Sequence, residues 1–261
     1  MRPSTIAIDG PAASGKSTIG YHLSRHLAYL YLDTGVLYRA VTWAALEREI
    51  AIADESAITR LAENLYIDVA PPTEADGRQY TVRVEGRDVT WDIRTPAVDA
   101  AVSPVSAYPG VREALTRRMR EIAALGHVVM VGRDIGTVVI PDADLKLYVV
   151  ASTEERAHRR QLEMQTQGEC QEYDDVLTSL QQRDRIDSQR QAAPLKAAPD
   201  AIIFDNTNLT IEEMLQQAEN LVNDLEPKTD KDFSHESRES SPKSLRQFFT
   251  KVAVYFCGRN G

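Results

Sequence analysis

One stretch near the start constrains this chain more than any other: Ile6-Ala7-Ile8-Asp9-Gly10-Pro11-Ala12-Ala13-Ser14-Gly15-Lys16-Ser17-Thr18. An apolar run that breaks into Gly-x-x-x-x-Gly-Lys-Ser is how a strand hands over to a phosphate cradle and then to a helix, the P-loop. Gly10 and Gly15 let the backbone turn tightly, so that successive N–H groups and the first helical turn point at one anion, where the helix dipole also favours negative charge. Lys16 adds a mobile cation that in the general pattern reaches the β- and γ-phosphates, and the Ser17 hydroxyl sits where a magnesium ion is held. Ile19, Leu23 and Leu27 follow at helical spacing. Phosphate binding is therefore expected along Gly10, Pro11, Ala12, Ala13, Ser14, Gly15, Lys16, Ser17 and Thr18.

With 261 residues, 43% of them hydrophobic, the chain can bury a full core and form one large domain with insertions. Its formal net charge of −9 argues against nucleic acid or an anionic membrane as partner of the body. Cys170 and Cys257 make neither a disulfide framework nor a metal-ligand spacing. There is no basic-plus-apolar leader and no run of about 18 apolar residues. A cytoplasmic location is expected.

A second strand-like run, Tyr29 to Leu32, ends in Asp33-Thr34-Gly35, and a helix follows with Leu37, Ala40, Val41 and Ala44 on one face. Strand, helix, strand, helix implies a parallel sheet. Val128 to Val131, ending in Gly132-Arg133-Asp134, then Leu145 to Val150 and Ala201 to Phe204 bring the strands to five. Ser152-x-x-Glu155 and Thr210-x-x-Glu213 both fit a capping box. Leu65, Ile67 and Val69, then Tyr80, Val82 and Val84, alternate with other residues across a Pro71-Pro72 loop and predict a small antiparallel sheet inserted at about 65–94. The insert reads either as a nucleotide-binding element or as decoration. Beyond a first domain of 1–225, residues 226–244 read as a flexible linker. In 245–261, Leu245, Phe248, Phe249, Val252 and Phe256 recur beside Lys243, Arg246, Lys251 and Arg259. That end reads either as an amphipathic segment contacting a membrane or protein, or as a weakly structured tail.

In a parallel sheet the carboxyl ends of all strands lie on one edge, where ligands bind. The P-loop, Asp33-Thr34 and Arg133-Asp134 leave different strands at that edge; Tyr38 stands one turn beyond Thr34, with Arg39 beside it. Arg183, Asp187 and Arg190, spaced four and three apart, share a face if helical. So many arginines beside a triphosphate bear on the reaction. A phosphate acceptor, with a second pKa near ~6, is largely ionised at neutral pH and needs no base, whereas an alcohol benefits from one. What it needs is charge neutralisation, which guanidinium forks supply. Taken singly, each arginine also reads as a solvated surface charge.

These motifs together closely resemble the bacterial cytidylate kinases: Ile8-Asp9-Gly10-Pro11, Ser14-Gly15-Lys16-Ser17, Leu32-Asp33-Thr34-Gly35, Tyr38-Arg39-Ala40, Gly132-Arg133-Asp134-Ile135-Gly136-Thr137-Val138-Val139, Glu154-Glu155-Arg156-Ala157, Arg183-Asp184 and Ala193-Pro194-Leu195. The resemblance spans about Thr5 to Val222. It implies an α/β, P-loop nucleoside monophosphate kinase fold: a five-stranded parallel sheet flanked by helices, a small antiparallel insert and a helical lid at about 153–190. It implies transfer of the ATP γ-phosphoryl to CMP or dCMP with magnesium, by a monomer, with Lys16, Arg133 and Arg190 as catalytic residues. By the same resemblance Ser103, Arg112 and Asp134 read the cytosine edge and Arg183 and Asp187 hold the sugar. Arg39, Arg133 and Arg190, with Thr34 nearby, then hold the acceptor phosphate, and Tyr38 belongs to the same CMP-binding set. Asp187 alternatively pairs with Arg183 or Arg190. Arg156, Arg159 and Arg160 fall in the lid, where they either close over the transferring phosphoryl or form a solvated helix face.

Two features depart from the pattern. Ser17 stands where some relatives have glycine, so a magnesium contact does not follow automatically. Gln167-Gly168-Glu169-Cys170 lacks the paired spacing of a zinc-bearing lid, so a metal-free lid is expected. No Asn-Lys-x-Asp follows a strand, which argues against a GTPase. A P-loop kinase acting on an alcohol and an ATP-dependent regulatory module remain as alternatives.

Overall fold

The computed structural model describes residues 3–166 and 171–224. The expectations for 167–170, for the linker 226–244 and for the segment 245–261 lie outside those residues. Five strands pair in parallel in the order β2-β6-β1-β7-β8: β1 (Thr5–Asp9), β2 (Leu30–Asp33), β6 (Val128–Gly132), β7 (Leu145–Val150) and β8 (Ile202–Asp205). These are the five apolar runs read from the sequence. β1 lies in the middle, and its register puts Asp9 beside Gly132 on one side and Tyr148 on the other.

The P-loop runs from β1 into α1 (Lys16–Leu27), which buries Ile19, Leu23 and Leu27. Gly20 lets α1 lie close on the sheet: a Cβ there would stand 2.4 Å from Val131 Cγ2. Gly10 has φ +151°, and its Cβ would meet the Val149 carbonyl at 2.2 Å, so only glycine turns the loop past β7.

After β2, α2 (Gly35–Glu47) buries Leu37, Ala40, Val41 and Ala44. α3 (Glu55–Asn64) leads to an antiparallel sheet of β3 (Ile67–Ala70), β4 (Thr81–Val84) and β5 (Arg87–Asp88). Glu85 and Gly86, both at positive φ, make the tight turn between β4 and β5. The sheet has no separate interior: Ile67, Val82 and Val84 share one core with α2, with α5 (Pro109–Ala123) and with one face of the parallel sheet. α4 (Pro96–Ala107) closes this side of the cleft.

The other face of the sheet packs against α1 and α8 (Ile211–Asp224) through Ile8, Val131, Val149, Met214 and Val222. The Thr210 capping box is complete. Thr210 Oγ1 accepts the Glu213 N–H, and Glu213 Oε2 accepts the Thr210 N–H at 2.9 Å. At Ser152 only half of it forms, because Glu155 turns to Arg159 and the Ser152 N–H donates to Thr207 instead. α6 (Thr153–Thr166) and α7 (Tyr173–Gln189) pack together on their own small core of Ala157, Met164, Val176 and Leu180, with Ala12 of the P-loop. Among the described residues no helix is long and apolar enough to cross a membrane.

Candidate active site

The carboxyl edge of the parallel sheet opens into a cavity of about 380 Å³. Ala12 to Thr18, Thr34, Tyr38, Arg39, Ser103, Arg112, Arg133, Asp134, Arg159, Arg160, Arg183, Asp187 and Arg190 all line it. Of the residues expected from sequence, Gly10, Pro11 and Arg156 do not. Gly10 shapes the turn. Pro11 offers its carbonyl to Lys16 Nζ at 2.7 Å.

Arg156 requires a correction, since it belongs neither to a solvated face nor to the cavity wall. It is buried, at 4% exposure, where it donates to the Ala12 carbonyl at 3.2 Å and to Ala151 and Thr153, and pairs with Asp184 at 2.7 Å. It braces the back of the P-loop against α6 and α7. Arg159 lies at the cleft and donates to both the side-chain and main-chain oxygens of Asn206, at 3.0 and 2.9 Å. Arg160 pairs with Asp99 at 3.1 Å and with Glu163.

In the P-loop, Lys16 is buried beside Arg133, and burial first, then that positive neighbour, pull its pKa well below the ordinary lysine value. The cost of crowding these cations indicates that the site is built for an anion. Ser17 Oγ donates to Asp33 Oδ2 at 3.0 Å. A hydroxyl and a carboxylate side by side are hard oxygen donors that suit magnesium, which takes one or two protein ligands and keeps water and phosphate for the rest. Among the described residues no group of three or more His, Cys, Asp or Glu is disposed to hold a metal by itself.

The opposite wall is a ladder of buried ion pairs. Arg112 donates to Asp134 and to the Ser106 carbonyl, and stacks over the Tyr38 ring at 5.4 Å. Arg133 Nε donates to Asp187 Oδ2 at 2.8 Å, and Arg190 approaches Asp187 at 3.7 Å and Asp134 at 3.5 Å. Asp187 thus pairs with Arg190, one of the two helical partners expected, and with Arg133, which helical spacing could not offer. Burial would raise the Asp187 carboxyl, but Arg133, with Arg183 and Arg190, outweighs it and holds the pKa below the ordinary value. Arg183 is pushed down to about 10 by burial and by Arg133 and Arg39. Arg39 donates to the Ile93 carbonyl and to Asp99. Thr34 commits its hydroxyl proton to the Val131 carbonyl at 2.9 Å, so toward a ligand it offers lone pairs only.

Four buried polar atoms around the cleft have no hydrogen-bond partner among the described residues: Ser14 Oγ, Tyr38 Oη, Arg94 Nε and Arg190 Nη2. Buried polar groups left without a hydrogen bond are uncommon, and at a cleft they are positions that a ligand or ordered water satisfies. Burial pushes the Tyr38 phenol up to about 12, so it stays a neutral donor. Asp33, expected with Thr34 at the ligand-binding edge, lines the cavity too, whereas Tyr80, Arg94, Ser106 and Glu163 were not read from sequence as part of the site. Tyr80 and Arg94, hydrogen-bonded to each other, come from the insert side and lean back over the cleft, which no local spacing announces.

Comparison with known proteins follows the same lines. The sequence profile of a family described as "Cytidylate kinase" matches residues 6–224. A cytidylate kinase of Herpetosiphon aurantiacus is 51% identical over 214 residues, 82% of this chain and 92% of that protein. One of Chloroflexus aggregans is 50% identical over 208 residues, covering 80% and 89%. One of a Geobacillus species is 45% identical over 219 residues, covering 84% and 96%.

Proposed function

Since the chain belongs to the cytidylate kinase family, we propose that this cleft transfers the γ-phosphoryl of ATP to CMP or dCMP, giving ADP and the diphosphate. The observation that carries the reading is that one cavity joins a P-loop to a wall of arginines and a buried Arg112–Asp134 pair. The first suits a triphosphate. The second suits an anionic acceptor whose base presents an amino donor beside ring-nitrogen and carbonyl acceptors.

The P-loop N–H groups and Lys16 hold the donor phosphates; Ser17 and Asp33 would hold magnesium, which when bound neutralises charge on the β- and γ-phosphates. The acceptor phosphate, with its second pKa near ~6, arrives ionised, so no side chain has to remove a proton. Arg133 and Arg190, with Arg39 and Tyr38, fix it in line and offset the repulsion between two anions. Arg183 and Asp187 hold the sugar, and Ser103 with the Arg112–Asp134 pair reads the cytosine edge. α6 and α7 form the lid of a kinase domain spanning 1–225; Arg159 and Arg160, which line the cavity, close over the transferring phosphoryl. Closure excludes water and suppresses ATP hydrolysis. A coupled ADP-release assay across the nucleoside monophosphates tests the proposal: CMP and dCMP should drive turnover. Phosphorylation of a neutral alcohol in their place would overturn it.

A further inference from the structure

The Asp9 carboxylate stands at the end of β1, one residue ahead of the P-loop, and reaches sideways. Its Oδ1 accepts the Ile135 N–H and its Oδ2 the Gly136 N–H, each at 2.8 Å. Those amides open a wide helical turn, Ile135–Val139, that begins where Arg133 and Asp134 end. At the far end of the same turn, Arg120 donates to the carbonyls of Val138 and Val139 at 2.7 and 3.0 Å. An anion on the free N–H groups and a cation on the free carbonyls is the arrangement that backbone dipoles favour.

We propose that Asp9 is a positioning residue for the acceptor nucleotide: by clamping the two amides that follow Arg133-Asp134, it sets the aim of both side chains without touching either substrate. The proposal rests on the functional reading above. Two adjacent N–H donors need two acceptor oxygens, which an ionised carboxylate supplies and an amide does not. Asp9 keeps this role at 4% exposure. Burial there pushes its pKa up to about 6 despite the two N–H bonds, with Asp134 adding to the rise and Lys16 opposing it. The other groups facing it are Tyr148 and Lys146 of β7. The Lys146 stem lies along Gly136, while its Nζ is held by Pro141 and Asp200. Protonated, Asp9 would present a hydroxyl to one of the amides and release the turn.

The test is Asp9→Asn in the full chain. KM for CMP should rise by about tenfold, within the ~hundredfold that a 1 Å misplacement can cost, while KM for ATP stays within about twofold. The CMP-over-UMP preference should fall in the wild type between about pH 7.5 and 5.5, yet stay flat in the substituted protein. Using that ratio cancels the phosphate ionisation that both substrates share. An unchanged KM for CMP with the wild-type pH slope would overturn the proposal. Amide exchange gives a readout independent of turnover: Ile135 and Gly136 should exchange faster in Asp9→Asn while Val128–Gly132 keep their protection, and unchanged protection would also overturn it. If Asp9→Asn fails to fold, the wild type decides. Protection at Ile135 and Gly136 must then fall relative to β6 over the same pH range, and constant protection refutes the clamp. A wild type that ignores CMP would defeat the functional reading, and the exchange result would still decide whether Asp9 holds the turn.

Discussion

Arg133 and Asp134 are neighbours in the chain with different tasks. Arg133 leans on Asp187, which also has Arg190 at 3.7 Å, so losing Arg133 leaves no carboxylate stranded. Arg133→Met should lower turnover about a hundred- to thousandfold, the loss typical of one preorganised charge, with little change in unfolding midpoint. ADP release and thermal melting measure the two. Asp134 is the main partner of buried Arg112, and Asp134→Ala leaves that guanidinium with the Ser106 carbonyl and the face of the Tyr38 ring but no hydrogen-bonded carboxylate among the described residues. Breaking a buried pair from one side costs about 3–5 kcal/mol, so denaturant midpoints should drop along with the CMP-over-UMP preference. Asp134→Asn, which keeps the shape, separates the effects: preference should still fall, with a smaller loss of stability.

Among the elements, α1 depends on contact that its sequence barely advertises. Gly20 reads as a weak spot in a helix, yet a Cβ there would stand 2.4 Å from Val131 Cγ2. Gly20→Ala should therefore destabilise by about 1–3 kcal/mol, the cost of overpacking, instead of giving the gain that Gly→Ala normally brings to a helix. Urea denaturation gives the sign directly. The five core strands were legible because each is a short apolar run closed by turn residues. Of the helices between β2 and β6, α2 was legible from its spacing, whereas α3, α4 and α5 were not taken up: α4 carries Pro104 in its interior, a breaker signal that tertiary packing overrides. Ile135–Val139 resembles a strand in composition and folds as a wide turn because Asp9 and Arg120 satisfy its ends. The solvated-face reading of Arg156 failed for a related reason. The resemblance put it in the lid, where α6 carries it, but could not say that it faces the Ala12 carbonyl, 144 residues away.

The whole molecule carries buried carboxyls of opposite sign in their response to acid. The Asp187 pKa in the fold lies below the ordinary value of 3.8, so its stabilisation is complete above about pH 4 and disappears as pH falls through the folded value. Wild type and Asp187→Asn should thus differ in denaturation free energy at neutral pH, and the gap should narrow as pH falls below the ordinary carboxylate value. Asp9, raised to about 6, works the other way: its burial penalty is relieved as pH falls from 7 toward 5, just where the proposed clamp loosens. The cleft itself was largely readable because parallel strands end on one edge. What stayed hidden were partners far apart in sequence, such as Asn206, which donates to the Ser14 carbonyl while accepting from Arg159. The parallel sheet has one more consequence. Thr5 opens β1 at the edge opposite the cleft, where Asp144 accepts its N–H at 2.9 Å. Five residues of strand, roughly 16 Å, separate it from the P-loop. A tether attached ahead of Pro3 would anchor the protein to a solid support by its rear, leaving the mouth open to incoming nucleotides.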